Sequence, residues 1–333
     1  KVYYDAGGQV FNPFGQSVDE ALWNQAAVYD PAAKSWTTLG VPGFPGTAPG
    51  FRGSTFSIAL PLSPPYVAAQ FLSAGGIVGT TPGTYLATRD SRITTIETSS
   101  GDKMSSSIVT GPLNNARWYS TGVLLPDGTV FAVSGADRDE VDFPGSGMPV
   151  HQAEIFNPAT NQWTAVASER HDRTYHNSAV LLPTGQVLVG GHAPINTGYG
   201  SPSTLPGGYS NNFRDATLEI YNPPYLFFGG QRPVISAVST PHLRYGRTLT
   251  ISTSSAGSVS KVMLVRNSAF THLTDADQRA LELPIVGRTG SSITVQTPPS
   301  ANVAPFGPYM LFIDASSANG LVPSVAAQVY VTD

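Results

Sequence analysis

Tyr175 and His176 stand side by side in the stretch RTYHNSAVLLPTGQVLVGGH, and a second imidazole, His272, follows much later in SAFTHLTDADQRALELPI. A phenolate and imidazoles in a tetragonal N,O arrangement suit Cu(II). A bound cation also lowers the pKa of a phenol from its ordinary value of about 10, so that it can ligate or exchange a proton near neutrality. Adjacent residues on a regular strand face opposite ways, so both can reach one ion only where the strand starts or bends. Tyr175 lies eight residues before Pro183, whereas Tyr119 lies seven before Pro126. The extra residue predicts a local bulge, a device that re-aims side chains near sites. The other reading of the pair is a buried Tyr and His satisfied by hydrogen bonds. The loop around His272, with Asp275, Asp277, Gln278 and Arg279, equally reads as a solvated surface turn. Asp275-x-Asp277 as a calcium site lacks the EF-hand glycine and the distal Glu.

The elements that must position these residues repeat along the chain. A short apolar strand ending in small residues occurs in VYYDAGG (2–8), QFLSAGG (70–76), TVFAVSGA (129–136) and QVLVGGH (186–192). AAVYDPAAKSW (26–36), AEIFNPATNQW (153–163) and LEIYNPPYLF (218–227) form a second element, read as a strand leaving into a turn. Its Trp is expected to pack between blades. A third element, ARWYSTGVLLPDG (116–128) and DRTYHNSAVLLPTG (172–185), recurs at an offset of 56 or 57 residues. That is close to the ~50-residue kelch period, one four-stranded propeller blade per repeat. The units amount to the end of one blade, two full blades and a final blade near 172–228. Closed propellers use four to eight blades, and an open one leaves unpaired strand edges. The chain also begins inside a strand, at Lys1-Val2-Tyr3-Tyr4, so it is expected to be the C-terminal part of a longer protein. A complete four-bladed propeller is the alternative.

From Pro233 the pattern changes to short alternating strands at sandwich spacing, including VSKVMLVRN, SSITVQTPPS and GPYMLFIDASS. The expected domains are 1–230, propeller blades, and 231–333, an immunoglobulin-like β-sandwich. Ser17-Val18-Asp19-Glu20 predicts at most a turn or two of helix. Composition agrees with an all-β fold. Of 333 residues only 12% are charged, while Gly and Pro number 34 and 28. A net charge of −4 without basic runs argues against nucleic acid or an anionic membrane surface as partner. No apolar run approaches the ~20 residues of a membrane span. The absence of Cys removes disulfides, thiolate metal sites and cysteine nucleophiles from this chain. His151, His171 and His242 lack partners at ligand spacing. His192 is expected to hydrogen-bond a loop, and Asp137, Asp139, Glu140 and Asp142 to form a solvated loop.

Taken together, the RTYH segment, the THLTDADQR loop and the repeats around them resemble the copper radical oxidases of the galactose oxidase and glyoxal oxidase family. The likeness runs over nearly the whole chain. It implies a partial kelch-type β-propeller, about the last three to four blades of a seven-bladed ring, followed by the sandwich. By that resemblance Tyr175 is an axial ligand and the catalytic base, and His176 and His272 are the copper-binding histidines. Tyr119, in Arg117-Trp118-Tyr119, and Phe143, in EVDFPGSG, match substrate-pocket positions. The family's radical cofactor is a tyrosine crosslinked to a cysteine from early blades. It is expected only from residues outside this chain, in N-terminal blades on the same or another chain. The implied reaction is oxidation of a primary alcohol, aldehyde or carbohydrate by O₂ with release of hydrogen peroxide, in a secreted or cell-surface protein. The alternative is a structural or carbohydrate-binding propeller that retains the ligand residues without catalysis.

Overall fold

The computed structural model describes residues 1–4, 26–40, 55–78, 86–97, 103–137, 149–192, 215–229, 231–271 and 273–333. The possible helix at Ser17–Glu20 lies outside them. The first two-thirds of the chain folds into antiparallel sheets in which each strand pairs with the next along the chain. The successive sheets are Val2–Tyr4, Ala26–Asp30 and Ser35–Gly40; Phe56–Ala59, Ala68–Ala74, Ser91–Glu97 and Lys103–Val109; Thr121–Leu124, Val130–Val133, Gln152–Asn157 and Gln162–Ser168; and Ser178–Leu181, Val187–Gly190 and Leu218–Tyr221. The opening strands of the last three sheets, Phe56–Ala59, Thr121–Leu124 and Ser178–Leu181, lie next to one another, as the inner strands of propeller blades do. Two further strands, Ile77–Val78 and Leu86–Ala87, form a short hairpin.

The repeated turn residues have local work to do. Asp127 Oδ1 accepts the backbone N–H and the hydroxyl of Thr129, at 3.0 and 2.7 Å, and Gly128 supplies the φ of +91° that closes the turn. The Asp or Asn that follows Tyr29 and Phe156 caps the next turn. Asp30 Oδ1 accepts the N–H groups of Ala32 and Ala33, and Asn157 Oδ1 accepts that of Ala159. Trp163 packs between blades as expected. Its ring lies 5.1 Å from Phe156 of its own sheet and 6.3 Å from Phe56 of the neighbouring one, and its Nε1 donates to Ser91 Oγ across the gap. Trp36 departs from that expectation. Its ring lies 5.1 Å from that of Tyr29, tilted at 43°, but it stays 58% exposed.

The last hundred residues form the sandwich. One sheet orders Ala237–Val238, Thr248–Ser252, Ser292–Gln296 and Ile285–Arg288. The other orders His242–Arg244, Ala327–Thr332, Gly307–Ser317, Val259–Arg266 and Ala280–Glu282, with Gly320–Pro323 paired to Gly307–Ser317. Leu249, Ile251, Val262, Leu264, Leu311 and Ile313 fill the space between the sheets. Gly307–Ser317 is buried on both faces, which explains its unbroken apolar run. Leu311 and Ile313 face inward, while Met310 and Phe312 join Val123, Phe131, Val133, Leu181 and Val187 of the propeller sheets in one core. Gln278 locks this contact. Its amide nitrogen donates to the Ser57 carbonyl at 2.8 Å and its oxygen accepts Ala59 N–H at 2.7 Å, as a neighbouring strand would. Among the described residues no helix is long and apolar enough to cross a membrane.

Candidate metal centre

The segment carrying Tyr175 and His176 is held from both ends. Arg173, fully buried, donates to Glu219 Oε2 at 3.2 Å, Thr217 Oγ1 at 3.1 Å and the Gly191 carbonyl at 3.4 Å. Asn177 closes the turn. Its Nδ2 donates to the carbonyls of Arg173, at 3.1 Å, and Tyr119, at 2.8 Å, while its Oδ1 accepts the Thr121 hydroxyl at 2.7 Å. The preceding sheet repeats the anchor. Arg117 donates to Glu154 Oε1 at 2.8 Å and to the Gln152 carbonyl at 2.6 Å, with both side chains of the ion pair completely buried.

Tyr119 and His176 both adopt φ of +52°, a left-handed conformation uncommon for residues other than glycine. They are 57 positions apart, as are Pro126 and Pro183, whereas Arg117 and Arg173 are 56 apart. The extra residue expected in the last blade therefore lies between Arg173 and His176. It does not interrupt the strand, since Ser178–Leu181 pairs with Val187–Gly190 without a register shift. The left-handed turn undoes strand alternation. The rings of Tyr175 and His176 come to 4.0 Å between centroids, inclined at 48°.

Three further side chains build the wall. Tyr119 lies 4.2 Å from Tyr175 and 6.3 Å from His176, and Trp118 lies 6.3 Å from Tyr175. Tyr119 and Trp118 are buried, whereas Tyr175 and His176 are partly open to solvent. Burial pushes the Tyr119 phenol far above its usual range, and a hydrogen bond with Tyr175 pushes the same way. Tyr119 thus keeps its proton. The third piece comes from the sandwich. A hairpin, Phe270–Thr271 with Thr274–Asp275, places Leu273 in one cluster with Trp118, Tyr119 and Ala136, against which Tyr175 packs. His272 itself lies outside the described residues, as does Phe143. Asp275 Oδ1 accepts the N–H groups of Ala269 and Asp277, and Asp277 pairs with Arg266 at 3.2 Å, so the acidic pair shapes the hairpin. No group of three His, Cys, Asp or Glu that could hold a metal occurs among the described residues. What is present, one phenol oxygen and one imidazole on the same open wall, fits part of a tetragonal copper set.

Residues 232–331 match the galactose oxidase-like early set domain. Over 221 residues, 65% of the chain, the sequence is 35% identical to a galactose oxidase of Gibberella zeae. The chain is homologous to the copper radical oxidases. A fungal alcohol oxidase of the AA5 family, solved in complex with copper, superposes with a TM-score of 0.75 at 26% identity, over 95% of this chain and 61% of that one. An aldehyde oxidase of Arabidopsis thaliana is 29% identical over 67% of the chain. The chain spans about a third of the length of these curated relatives, 30% of the galactose oxidase and 37% of the aldehyde oxidase.

Within this copper radical oxidase relative, the buried ion pairs were the part that sequence reading missed. Their signal is a Glu before Ile-Phe-Asn-Pro and before Ile-Tyr-Asn-Pro, in register with the buried Arg of the same sheet. A third carboxyl joins them. Glu169 takes the Ser134 hydroxyl on Oε2 at 3.0 Å and lies 3.8 Å from Arg173, so three carboxyls face two guanidiniums. Burial pushes Glu169 up to about 8, against the opposing pull of Ser134, Arg173 and Arg117, and with Glu219 adding to the rise. Between the ordinary value of 4.5 and about 8 the folded chain holds a proton that the unfolded chain has lost. Stability contributed here is full below that window and falls as pH rises through it. Glu169→Gln should therefore raise Tm by several degrees at about pH 9, taking ~2–4 °C per kcal/mol, with the gain vanishing near about pH 4.5. Parallel melting curves of the two proteins across that range would refute the assignment.

Proposed function

We propose that this chain is the ligand-bearing part of a secreted, copper-dependent oxidase of primary alcohols or aldehydes that uses O₂ and releases hydrogen peroxide. The supporting observation is the convergence of Tyr175, His176 and the Leu273 hairpin on one wall, built by two kelch-like blades and the sandwich. In this reading the chain divides into blades, 1–230, and sandwich, 231–333, and the remaining blades stand outside it. Tyr175, His176 and His272 hold copper. Bound copper supplies one-electron chemistry, together with a Tyr–Cys cofactor from outside these residues. The chain's own part is proton handling and positioning. Tyr175 receives the substrate hydroxyl proton at its phenol oxygen. Tyr119, protonated and hydrogen-bonded to it, holds that oxygen in place, and Tyr119 and Phe143 line the substrate side.

The test is copper content. In the complete protein, His176→Ala should lower copper affinity by at least the ~10–100-fold usual when even a hydrogen-bond partner of a ligand is removed. Elemental analysis after dialysis against a competing chelator reads this. Equal copper in the two proteins removes the site.

A further inference from the structure

The peptide just before Tyr175 has an unusual acceptor. In the preceding sheet Trp118 continues the strand ladder. Its N–H donates to the Ala136 carbonyl at 2.8 Å, and Ala136 N–H returns to the Trp118 carbonyl at 3.1 Å. The counterpart of Trp118, counted from the buried arginines, is Thr174. Its N–H donates instead to the imidazole Nδ1 of His192, at 3.2 Å, with Thr174 Oγ1 3.5 Å from the same nitrogen. Both groups are buried, Thr174 at 2% and His192 at 8% exposure. The substitution has a cause in register. Thr121 pairs with Val133 as Ser178 pairs with Gly190, so His192 occupies the position of Gly135. The extra residue between Arg173 and His176 displaces Thr174 from the ladder, and the His192 ring fills the step.

The geometry dictates the tautomer. A backbone N–H only donates, so Nδ1 carries its lone pair and the ring proton sits on Nε2. Burial holds the His192 pKa below its ordinary value, which keeps that lone pair free. Gly191 completes the clamp. Its φ is +82°, and a Cβ there would lie 2.5 Å from the His176 carbonyl, so only glycine lets the strand end approach this closely.

We propose that His192 is a positioning residue of the Tyr175–His176 turn, its Nδ1 standing in for a strand carbonyl and fixing the peptide that aims the Tyr175 phenol. The effect on copper rests on the reading of Tyr175 and His176 as ligands; the effect on the turn does not. His192→Asn keeps an acceptor close to the Nδ1 position. His192→Gln moves it one carbon away, and His192→Leu removes it. In the complete, metal-free protein, amide hydrogen exchange over residues 173–177 should quicken ~10-fold or more in the Gln and Leu variants and stay near wild type in Asn. With Cu(II) added, Gln and Leu should bind ~10–100-fold more weakly, with an altered EPR spectrum, and Asn should bind as wild type does. Unchanged exchange in both Gln and Leu overturns the positioning role. So does a loss in Asn equal to that in Leu. Quickened exchange in a protein whose wild type binds no copper keeps the positioning role and overturns the ligand assignment instead.

Discussion

Tyr175→Phe in the complete protein should retain copper and lose turnover by about 10²–10⁴-fold, the range a positioned general base contributes. The substitution removes one oxygen and leaves the ring, so the tilted contacts with Tyr119 at 4.2 Å and His176 at 4.0 Å are preserved. On the proposed reading His176 and His272 still hold the metal. Tyr119 cannot take over the proton. Burial and its bond with Tyr175 hold that phenol protonated, and it is 6% exposed behind the Tyr175 ring. Hydrogen peroxide production with primary alcohols and aldehydes gives the rate, and elemental analysis gives the copper. An active wild type with an equally active Tyr175→Phe would show that the base is another residue. A wild type that binds copper and yields no peroxide with any substrate would favour a non-catalytic propeller.

Arg117→Met should cost about 3–5 kcal/mol, because it leaves Glu154 as a buried charge without its cation. Tm should fall by roughly 6–20 °C at ~2–4 °C per kcal/mol. Both partners are fully buried at 2.8 Å. Burial pulls the Arg117 guanidinium down and Glu154 pulls it back up, so the pair is stable only as a pair. Glu154 Oε2 also takes the backbone and side-chain nitrogens of Asn114, at 2.6 and 2.8 Å. Adding Glu154→Gln should therefore recover part of the loss by removing the charge while keeping an acceptor. A single variant that melts within about 2 °C of wild type, or a double variant no better than the single, would contradict this account.

Much of the fold was legible because its signals are local. Alternation of apolar and polar residues, Pro-Asp-Gly and Pro-Thr-Gly turns and a repeat of 56 or 57 residues act within one blade, where a strand's neighbour in space is its neighbour in sequence. Trp163 followed from the same repeat. Trp36 did not, because interblade packing depends on what lies alongside it.

The sequence by itself singled out the candidate residues and their spacing. Tyr175 is one position out of step with Tyr119 relative to their prolines, whereas His176 is in step with it, and that count survives in the fold as an extra residue before the strand. Only the tertiary structure decided how they are placed. The left-handed backbone at His176 turns two rings that a strand would separate onto one wall. The sandwich hairpin brings Leu273 onto that wall from nearly a hundred residues away. Arg117 finds Glu154, and Thr174 finds the imidazole of His192. The physical reason is plainest in the last two. Strand periodicity is a property of consecutive residues, whereas a site depends on which buried polar groups must satisfy one another across elements. That is settled only when the sheets pack.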